Sequence, residues 1–199
     1  MTFTENYLKP NEYNQRGNPK GKWVDWYLLA RSAKVVRLDN RCASSLVDYK
    51  MNLTKNFTLA QMTRSGTAAR HGFDNSTSDP AIINNLRLLC KNILEPLYDY
   101  IEYPIQVTSG FRSQRLNKVI KGSKNSQHCF GQAADIVVDG SNSLIFYYIL
   151  QYLPFDQLIW EFGNDDEPEW VHVSYSKKNR REALKSIRIK GKIKYIKYE

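Results

Sequence analysis

Two short runs of sequence, residues 126–135 and 169–174, constrain the fold of this chain most strongly because they carry three potential metal ligands. His128 and Asp135 lie in the first run, and His172 lies in the second. Imidazole nitrogens and a carboxylate oxygen are the donors of zinc sites in which three side chains bind the ion and a fourth position stays open for water. The fold must bring both runs to one point, and we predict that the three residues bind one zinc ion.

Each of these runs contains the pattern of a β-strand. Asp135 lies in the branched, apolar run 133–138, which is typical of a buried strand, whereas His128 lies in the polar loop before it. In the run 170–175 apolar residues alternate with aromatic or polar ones, which places His172 on the face opposite the valines. Loop and strands can therefore converge on one ion.

The same runs resemble motifs of the zinc D-alanyl-D-alanine carboxypeptidase and L-alanyl-D-glutamate endopeptidase family, the VanX- and VanY-like peptidases that cut peptidoglycan stem peptides. Ser-x-His-x-x-Gly-x-Ala-x-Asp is matched at 126–135 and Trp-Val-His-Val-Ser at 170–174. Ser-Gly-aromatic-Arg-Ser is matched at 109–113, with Phe where the family has Tyr. The resemblance covers about residues 57–175 and is nearest to the phage and bacterial branch, with Phe-Asp-Gln-Leu-Ile-x-Glu at 155–161.

The resemblance implies a Hedgehog-like α+β fold, in which an antiparallel sheet carries the ligands and helices pack on one side of it. It also implies a zinc metallopeptidase acting as a DD-carboxypeptidase or an LD-endopeptidase on stem peptides. His128, Asp135 and His172 match the metal ligands of that family. We expect a phage or bacterial cell-wall lysin such as an endolysin, and the alternative is a non-catalytic zinc module of a phage particle or other assembly.

Hydrolysis requires a general base near the metal, and two glutamates compete for this role. Glu169 lies three residues before His172, as in the Glu-x-x-His arrangement of the family, and is narrowly favoured. Residues three apart on a strand face opposite sides, so Glu169 reaches the metal only if the chain turns or bulges near Pro168. Glu161, at the end of the strand predicted for 156–161, is the other candidate.

Two further residues are predicted to act on substrate. Arg112 follows a short predicted strand, and its fixed cation suits an oxyanion or a substrate carboxylate through paired hydrogen bonds. A surface salt bridge is the alternative for Arg112, but the resemblance favours the functional role. Ser126 is expected to hydrogen-bond either the substrate or a metal ligand.

The remaining pattern predicts a layer of helices and a terminal hairpin. Predicted helices cover 58–65, 79–101 with a disturbance at Pro96, 113–120 and 141–153, and predicted strands cover 105–108, 133–138, 156–161 and 170–175. Lys177 to Lys185 is interpreted as a helix or turn. Residues 187–197 alternate about Lys190-Gly191 and predict a hairpin with a lysine-rich face.

The chain divides into residues 1–56, a basic N-terminal extension or arm, and 57–199, a zinc peptidase domain that ends in the basic hairpin. Loop-forming Gly, Pro and Asn are frequent in the arm. Its aromatic residues Trp23, Trp26 and Tyr27 could contact the domain, wall glycan or another protein chain, including other virion proteins.

The net charge of +9 indicates an anionic partner, such as the stem peptide or an anionic cell-wall polymer. Nucleic acid is disfavoured because the sequence contains no recognised nucleic-acid-binding module. With neither a long apolar run nor a signal-like start, we expect cytoplasmic synthesis, no membrane partner, and action at the wall after holin release or within a virion. The three cysteines, Cys42, Cys90 and Cys129, are predicted to be free thiols.

Overall fold

A computed structural model describes residues 51–101 and 103–198 of the chain. These residues form one six-stranded sheet with helices packed on it, which confirms the α+β prediction. No helix in the described part is long and apolar enough to span a membrane. The predicted arm lies outside the described residues except for its last six, and the aromatic residues singled out in it are among those not described.

The strands follow one another in the sheet in the order β1-β2-β4-β3-β5-β6. Their bounds are Gln106–Ser109 for β1, Ala133–Val137 for β2, Gln157–Glu161 for β3, Trp170–Ser174 for β4, Glu182–Ile189 for β5 and Lys192–Lys197 for β6. Neighbouring strands are antiparallel except β3 and β5, which pair in parallel. The sheet is therefore mixed, and only this one pair departs from the predicted antiparallel arrangement.

Residues 51–101 and 103–198 contain six α-helices. Their bounds are Leu59–Thr63 for α1, Gly66–Arg70 for α2, Pro80–Leu89 for α3, Glu95–Ile101 for α4, Gln114–Val119 for α5 and Asn142–Tyr152 for α6. Polar side chains cap α1, α3, α5 and α6 where the sequence predicted helix starts, and Thr58 and Gln61 form the predicted capping box of α1. Local side-chain chemistry therefore determines where these helices begin.

A π-helical turn, Cys90–Leu94, joins α3 to α4 and interrupts the long helix predicted from the apolar spacing. The N–H of Glu95 donates to the carbonyl of Cys90, one residue further back than in an α-helix. Pro96 follows directly and has no N–H to continue the regular ladder. The predicted disturbance at Pro96 is thus a widened turn just before it.

Two segments differ in type from their prediction. His128 lies in a short 3-10 helix, Gln127–Phe130, where the sequence predicted a loop. Glu182 to Lys185 belong to strand β5, where a helix or turn was predicted. The basic composition of this segment did not indicate a strand. Its pairing partner β3 lies more than twenty residues earlier in the chain, so no local pattern indicated the pairing either.

The two faces of the sheet have different roles. Apolar side chains of β2, β3 and β4 face the helices and are fully buried, as for Ile136, Trp160 and Val171. Residues of the opposite parity, including Asp135 and His172, lie on the other face because side chains alternate along a strand. Leu53 is also buried in this core, so packing against the domain begins before residue 57.

The described cysteines, Cys90 and Cys129, are buried free thiols, and Cys42 lies outside the described residues. Burial raises the pKa of Cys90 to about 12. Cys129, beside the metal-ligand candidate His128, also has a raised pKa because of its burial. Both observations agree with a packing role.

Gly131 joins the 3-10 helix to β2 and cannot be replaced without strain. Its φ is +67°, and an added Cβ would lie 2.7 Å from the backbone oxygen of Ile82. We expect Gly131→Ala to lower the free energy of unfolding by about 3 kcal/mol, because it combines an unfavourable φ with a steric conflict. Urea denaturation measures this loss.

Gly72→Ala is the matched control. Gly72 has a φ of +65° with no atom near the position of the added Cβ. This substitution should lower the free energy of unfolding by only about 1 kcal/mol, because the unfavourable positive φ is its single cost. Equal losses in the two variants would show that Gly131 is not required for close packing against α3.

Candidate metal and catalytic site

The sheet register brings two of the predicted metal ligands side by side. Asp135 of β2 pairs directly with His172 of β4, and His172 pairs with Ile159 of β3 on its other side. Directly paired residues of adjacent strands lie on the same face, so Asp135 and His172 form a cross-strand pair. His128 approaches this pair from the 3-10 helix, whose last turn ends at Gly131.

The three side chains direct one atom each to a common point. His172 Nδ1 lies 2.8 Å from Asp135 Oδ1, His128 Nε2 lies 3.3 Å from the same oxygen, and the two nitrogens are 3.2 Å apart. Zinc–nitrogen and zinc–oxygen bonds of about 2.0–2.1 Å in a tetrahedral site correspond to donor separations of about 3.3–3.4 Å. The cluster therefore has nearly the dimensions of a zinc site before any adjustment of its side chains.

A backbone contact selects the tautomer of His128. Its Nδ1 lies 2.7 Å from the carbonyl oxygen of Gly110, so Nδ1 carries the proton and the lone pair of Nε2 points into the cluster. Burial lowers the pKa of His128, although the Asp135 carboxylate acts in the opposite direction. The neutral imidazole that a metal requires is therefore the form favoured here.

Gly110 occupies a position where no side chain fits. A Cβ at Gly110 would lie 2.2 Å from the backbone oxygen of Met62. The adjacent Phe111 N–H donates to that same oxygen at 2.7 Å. Helix α1 thus fixes the segment whose carbonyl orients His128. This close approach explains why the 109–113 motif has Gly at position 110.

Asp135 is ionised and divides its two oxygens between two functions. Oδ1 faces the histidines, whereas Oδ2 accepts a hydrogen bond from Arg112 Nη2 at 2.6 Å. Burial acts to raise the pKa of Asp135, but the positive charge of His128 and His172 when they are protonated, and the hydrogen bonds that they then donate, hold the pKa well below its ordinary range. The lone pairs of Oδ1 and His128 Nε2 repel each other at this distance, and a cation between them removes that repulsion. The donors present thus fit zinc.

Arg112 is held beside the cluster and not on the open surface. Besides Asp135, its guanidinium donates from Nε to Ser109 Oγ at 2.9 Å, and its backbone N–H donates to the carbonyl of His128 at 3.1 Å. Among the described residues, Nη1 of Arg112 has no hydrogen-bond partner. One edge of the guanidinium is therefore fixed by the protein and the other can bind a substrate.

Glu161 lies on the metal-site face of the sheet. It is two residues from Ile159, the partner of His172, and is only 7% exposed. Burial raises the pKa of Glu161, against the lowering effect of a hydrogen bond from Ser186 and of the charge on His172. A buried carboxylate of increased basicity beside metal ligands has the properties of a general base.

Glu169 lies in a different environment. Its N–H donates to the carbonyl of Glu161 at 3.0 Å, although Glu161 is already paired with Trp170, so the chain just before β4 departs by one residue from the regular β3–β4 register, as in a bulge. Its own carbonyl accepts from the amide of Asn142, at the start of α6. This irregularity before β4 is of the kind that Glu169 needs in order to face His172, but the side chain of Glu169 is exposed. The narrow preference for Glu169 stays a prediction, and the burial of Glu161 on the metal-site face favours Glu161 in its place.

The acidic loop between β3 and β4 also has a structural function. The carboxylate of Glu167 accepts hydrogen bonds from the N–H groups of Asn142 and Ser143 and from the Ser143 hydroxyl. An acid at the first turn of a helix satisfies free N–H groups and the helix dipole. This loop is therefore attached to α6, and its charges need no catalytic explanation.

Ser126 stands directly before the 3-10 helix and is partly buried. Its hydroxyl makes no capping hydrogen bond, although its carbonyl accepts from the N–H of Cys129 at 3.0 Å. The predicted role of Ser126 as a hydrogen-bonding group toward substrate or ligand stays a prediction.

Two further residues on the metal-site face of the sheet, Ser186 and Tyr195, were not indicated by the sequence. Ser186 of β5 pairs with Tyr195 of β6, and burial together with the negative charges of Glu161 and Asp135 raises the pKa of Tyr195. The parallel pairing of β3 and β5 places Ser186 next to Glu161. No local pattern could show this, because the pairing joins strands that are distant in sequence.

A buried ion pair supports the segment that carries His128. Asp156 is 1% exposed and accepts from Arg180 Nη2 at 2.7 Å and from the side-chain amide of Gln127 at 2.9 Å. Burial alone would raise the pKa of Asp156, but the hydrogen bonds from Arg180, Ser176 and Gln127 hold it well below the ordinary value. Asp156 thus links β3 to the residue that precedes His128.

We expect Asp156→Asn to lower the free energy of unfolding at pH 7 by about 2 kcal/mol. A carboxyl group whose pKa is lower in the folded state stabilises the protein above its unfolded pKa of about 3.9 and loses that contribution as the pH falls further. The stability difference between wild type and variant should therefore be constant from about pH 6 to 8 and shrink below about pH 4. Chemical denaturation across this range measures it, and a difference independent of pH would contradict the assignment.

Comparison with known proteins agrees with this geometry. The sequence matches the family model described as Peptidase M15 over residues 55–174, which is more than half of the chain and includes every residue of the cluster. No curated protein gives a match to this sequence. Since the matched region contains the histidine–aspartate–histidine cluster in the arrangement of a metal site, the chain belongs to the Peptidase M15 family, a membership that implies a metallopeptidase.

Proposed function

We propose that this protein hydrolyses peptide bonds of peptidoglycan stem peptides, as a DD-carboxypeptidase or an LD-endopeptidase. The observation that carries the proposal is the convergence of three metal-binding atoms with a buried glutamate on one face of the sheet. The family membership supports peptidase chemistry, and the motif resemblance at residues 109–113, 126–135 and 170–174 supports the stem peptide as substrate.

His128 Nε2, Asp135 Oδ1 and His172 Nδ1 would hold one zinc ion. When bound there, zinc polarises the scissile carbonyl and lowers the pKa of a water molecule to about 7. Glu161 then accepts the proton of the attacking water on its carboxylate and delivers it to the nitrogen of the leaving amine. Its raised pKa suits both steps, because a more basic carboxylate takes the proton more readily and the resulting acid can still release it.

Arg112 acts on the carbonyl oxygen of the bond that is cut. Its Nη2 and Nε are held by Asp135 and Ser109, which leaves Nη1 as a donor of fixed direction. A cationic donor that is fixed in advance stabilises negative charge as it develops and requires little reorganisation during the reaction. Arg112 therefore orients the substrate and supports the attack on its carbonyl.

The protein's charge is consistent with action at the cell wall. With a net charge of +9, the chain is attracted to a surface rich in phosphate and carboxylate groups. We propose that it works as a phage or bacterial lysin, reaching the wall after release through a holin or as part of a virion. A radial-diffusion assay on walls with and without teichoic acid tests whether anionic wall polymers contribute.

The test of the catalytic proposal is mass spectrometry of defined stem peptides incubated with zinc-loaded protein, with chelator, and with zinc added back after chelation. Release of D-alanine or of a larger fragment, lost with chelator and restored by zinc, is the expected result and also identifies the bond. If zinc binds but no stem peptide of any wall type is cut, the proposal is wrong and a non-catalytic zinc module takes its place.

A further inference from the structure

A small pocket lies directly beside the metal-ligand cluster. Its volume is about 290 Å³, and its walls come from the segment between α1 and α2, from α2 itself, and from β1, α5 and the chain between them. Three arginines line it, namely Arg64, Arg70 and Arg112, together with the hydroxyl groups of Ser65, Thr67 and Ser109. The pocket therefore combines cationic and hydroxyl donors in a space large enough for the end of a peptide chain.

The pocket and the metal-ligand cluster share Arg112. Its guanidinium bonds to Asp135 Oδ2 on the side of the cluster and to Ser109 Oγ in the wall of the pocket. A substrate whose scissile bond lies at the cluster can thus extend into the pocket along Arg112.

Among the described residues, two of the three arginines of the pocket have no acidic partner. Arg112 is paired with the ionised Asp135, but neither Arg64 nor Arg70 has a carboxylate within 4.0 Å among the described residues. The only side-chain hydrogen bond of Arg70 within the described structure goes to Thr67 Oγ1, at 3.0 Å. Two guanidinium groups without an acidic partner at one pocket favour an anionic ligand.

We propose that Arg64 and Arg70 form a carboxylate-binding subsite that selects substrates carrying a free carboxylate next to the scissile bond. This inference rests on the proposed function and adds the chemical class that the enzyme recognises. In a stem peptide the carboxylate has two sources, the C-terminal D-alanine and the α-carboxylate of the D-glutamate residue. Both present the same planar anion, for which guanidinium groups provide matching pairs of donors.

The experiment compares three peptides: the pentapeptide L-Ala-γ-D-Glu-L-Lys-D-Ala-D-Ala, its C-terminal carboxamide, and its D-isoglutamine form. Each of the last two replaces one carboxylate with an amide. Wild type should cleave one of them with kcat/KM reduced about tenfold or more, since hydrogen bonds to a charged group are lost, and that peptide identifies the source. The double variant Arg64→Gln/Arg70→Gln should lose the discrimination between the parent peptide and that amide.

Arg87→Gln is the control, because Arg87 is exposed on α3 and does not line the pocket. This substitution removes one positive charge, as each of the two substitutions in the double variant does. This variant should keep the full preference of the wild type. Equal cleavage of all three peptides by wild type, or undiminished discrimination by the double variant, would overturn the subsite.

A binding measurement separates failure of the subsite from failure of the proposed function. If wild type cuts none of the peptides, the peptidase proposal fails, and zinc-loaded protein is titrated with N-acetyl-D-alanine and with its carboxamide. The carboxylate probe, but not the amide, should shift the side-chain Nε–H signals of Arg64 and Arg70 in NMR spectra. Unchanged signals of both arginines with both probes would refute the subsite independently of activity.

Discussion

Replacing Glu161 with Gln is expected to lower kcat by about 1,000-fold while zinc binding is retained. Glutamine keeps the size of the side chain but cannot accept the proton of the attacking water, and positioned general bases contribute about 10²- to 10⁴-fold to rate. Glu161 is buried on the same face as His172 and has a raised pKa, so this carboxylate has both the position and the basicity for the role. Steady-state cleavage of a stem peptide, with zinc content measured on the same sample, gives the result.

Glu169→Gln is the matched control for Glu161→Gln. Glu169 is exposed, whereas Glu161 is buried on the face that carries His172. We expect its substitution to change kcat by less than about threefold. The opposite pattern, a large loss with Glu169→Gln and little effect of Glu161→Gln, would assign the general base to Glu169.

The second large effect is expected from His172→Ala, which removes one of the three converging atoms. The variant should lose activity to below detection and should no longer be stabilised by zinc. A metal ion that binds only the folded protein stabilises it by about 4 kcal/mol at a free concentration 1,000 times its dissociation constant. The melting temperature of wild type should therefore rise with added zinc, whereas that of the variant should not.

His71→Ala provides the comparison for this experiment. His71 is exposed, its Nδ1 lies 2.8 Å from the carbonyl of Thr67, and it takes no part in the cluster. This variant should keep both activity and the zinc-dependent rise in melting temperature. If His172→Ala still gained stability from zinc to the same extent, the ion would be bound elsewhere.

Local sequence patterns predicted much of the fold because many of its elements depend on short-range chemistry. The capping residues Thr58, Asp79, Ser113 and Ser141 begin helices where expected, and the β3–β4 and β5–β6 hairpins join strands adjacent in the chain. Glu182 to Lys185 was misassigned because the predicted hairpin began only at residue 187, and the parallel pairing of this segment with β3 joins stretches that are distant in the chain. The π-helical turn before Pro96 likewise depends on packing in the core, which the proline alone does not specify.

In the candidate site, too, local patterns identified some residues, whereas others depend on contacts between distant segments. His128, Asp135 and His172 could be identified because motif spacing and strand alternation both indicated them, and the structure brings their ligand atoms together. The choice between Glu161 and Glu169 required knowledge of the pairing register near Pro168, which the sequence could state only as a condition. Tyr195 and the arginine-lined pocket depend on contacts between distant segments and were not visible in any single stretch.

The most direct test of the zinc-peptidase account is a titration of zinc into metal-free protein, with bound metal and stem-peptide cleavage measured on the same samples. The account predicts that the cleavage rate rises in proportion to bound zinc and reaches its maximum at one ion per chain. A protein that binds one zinc ion through His128, Asp135 and His172 and yet cleaves no stem peptide would contradict it.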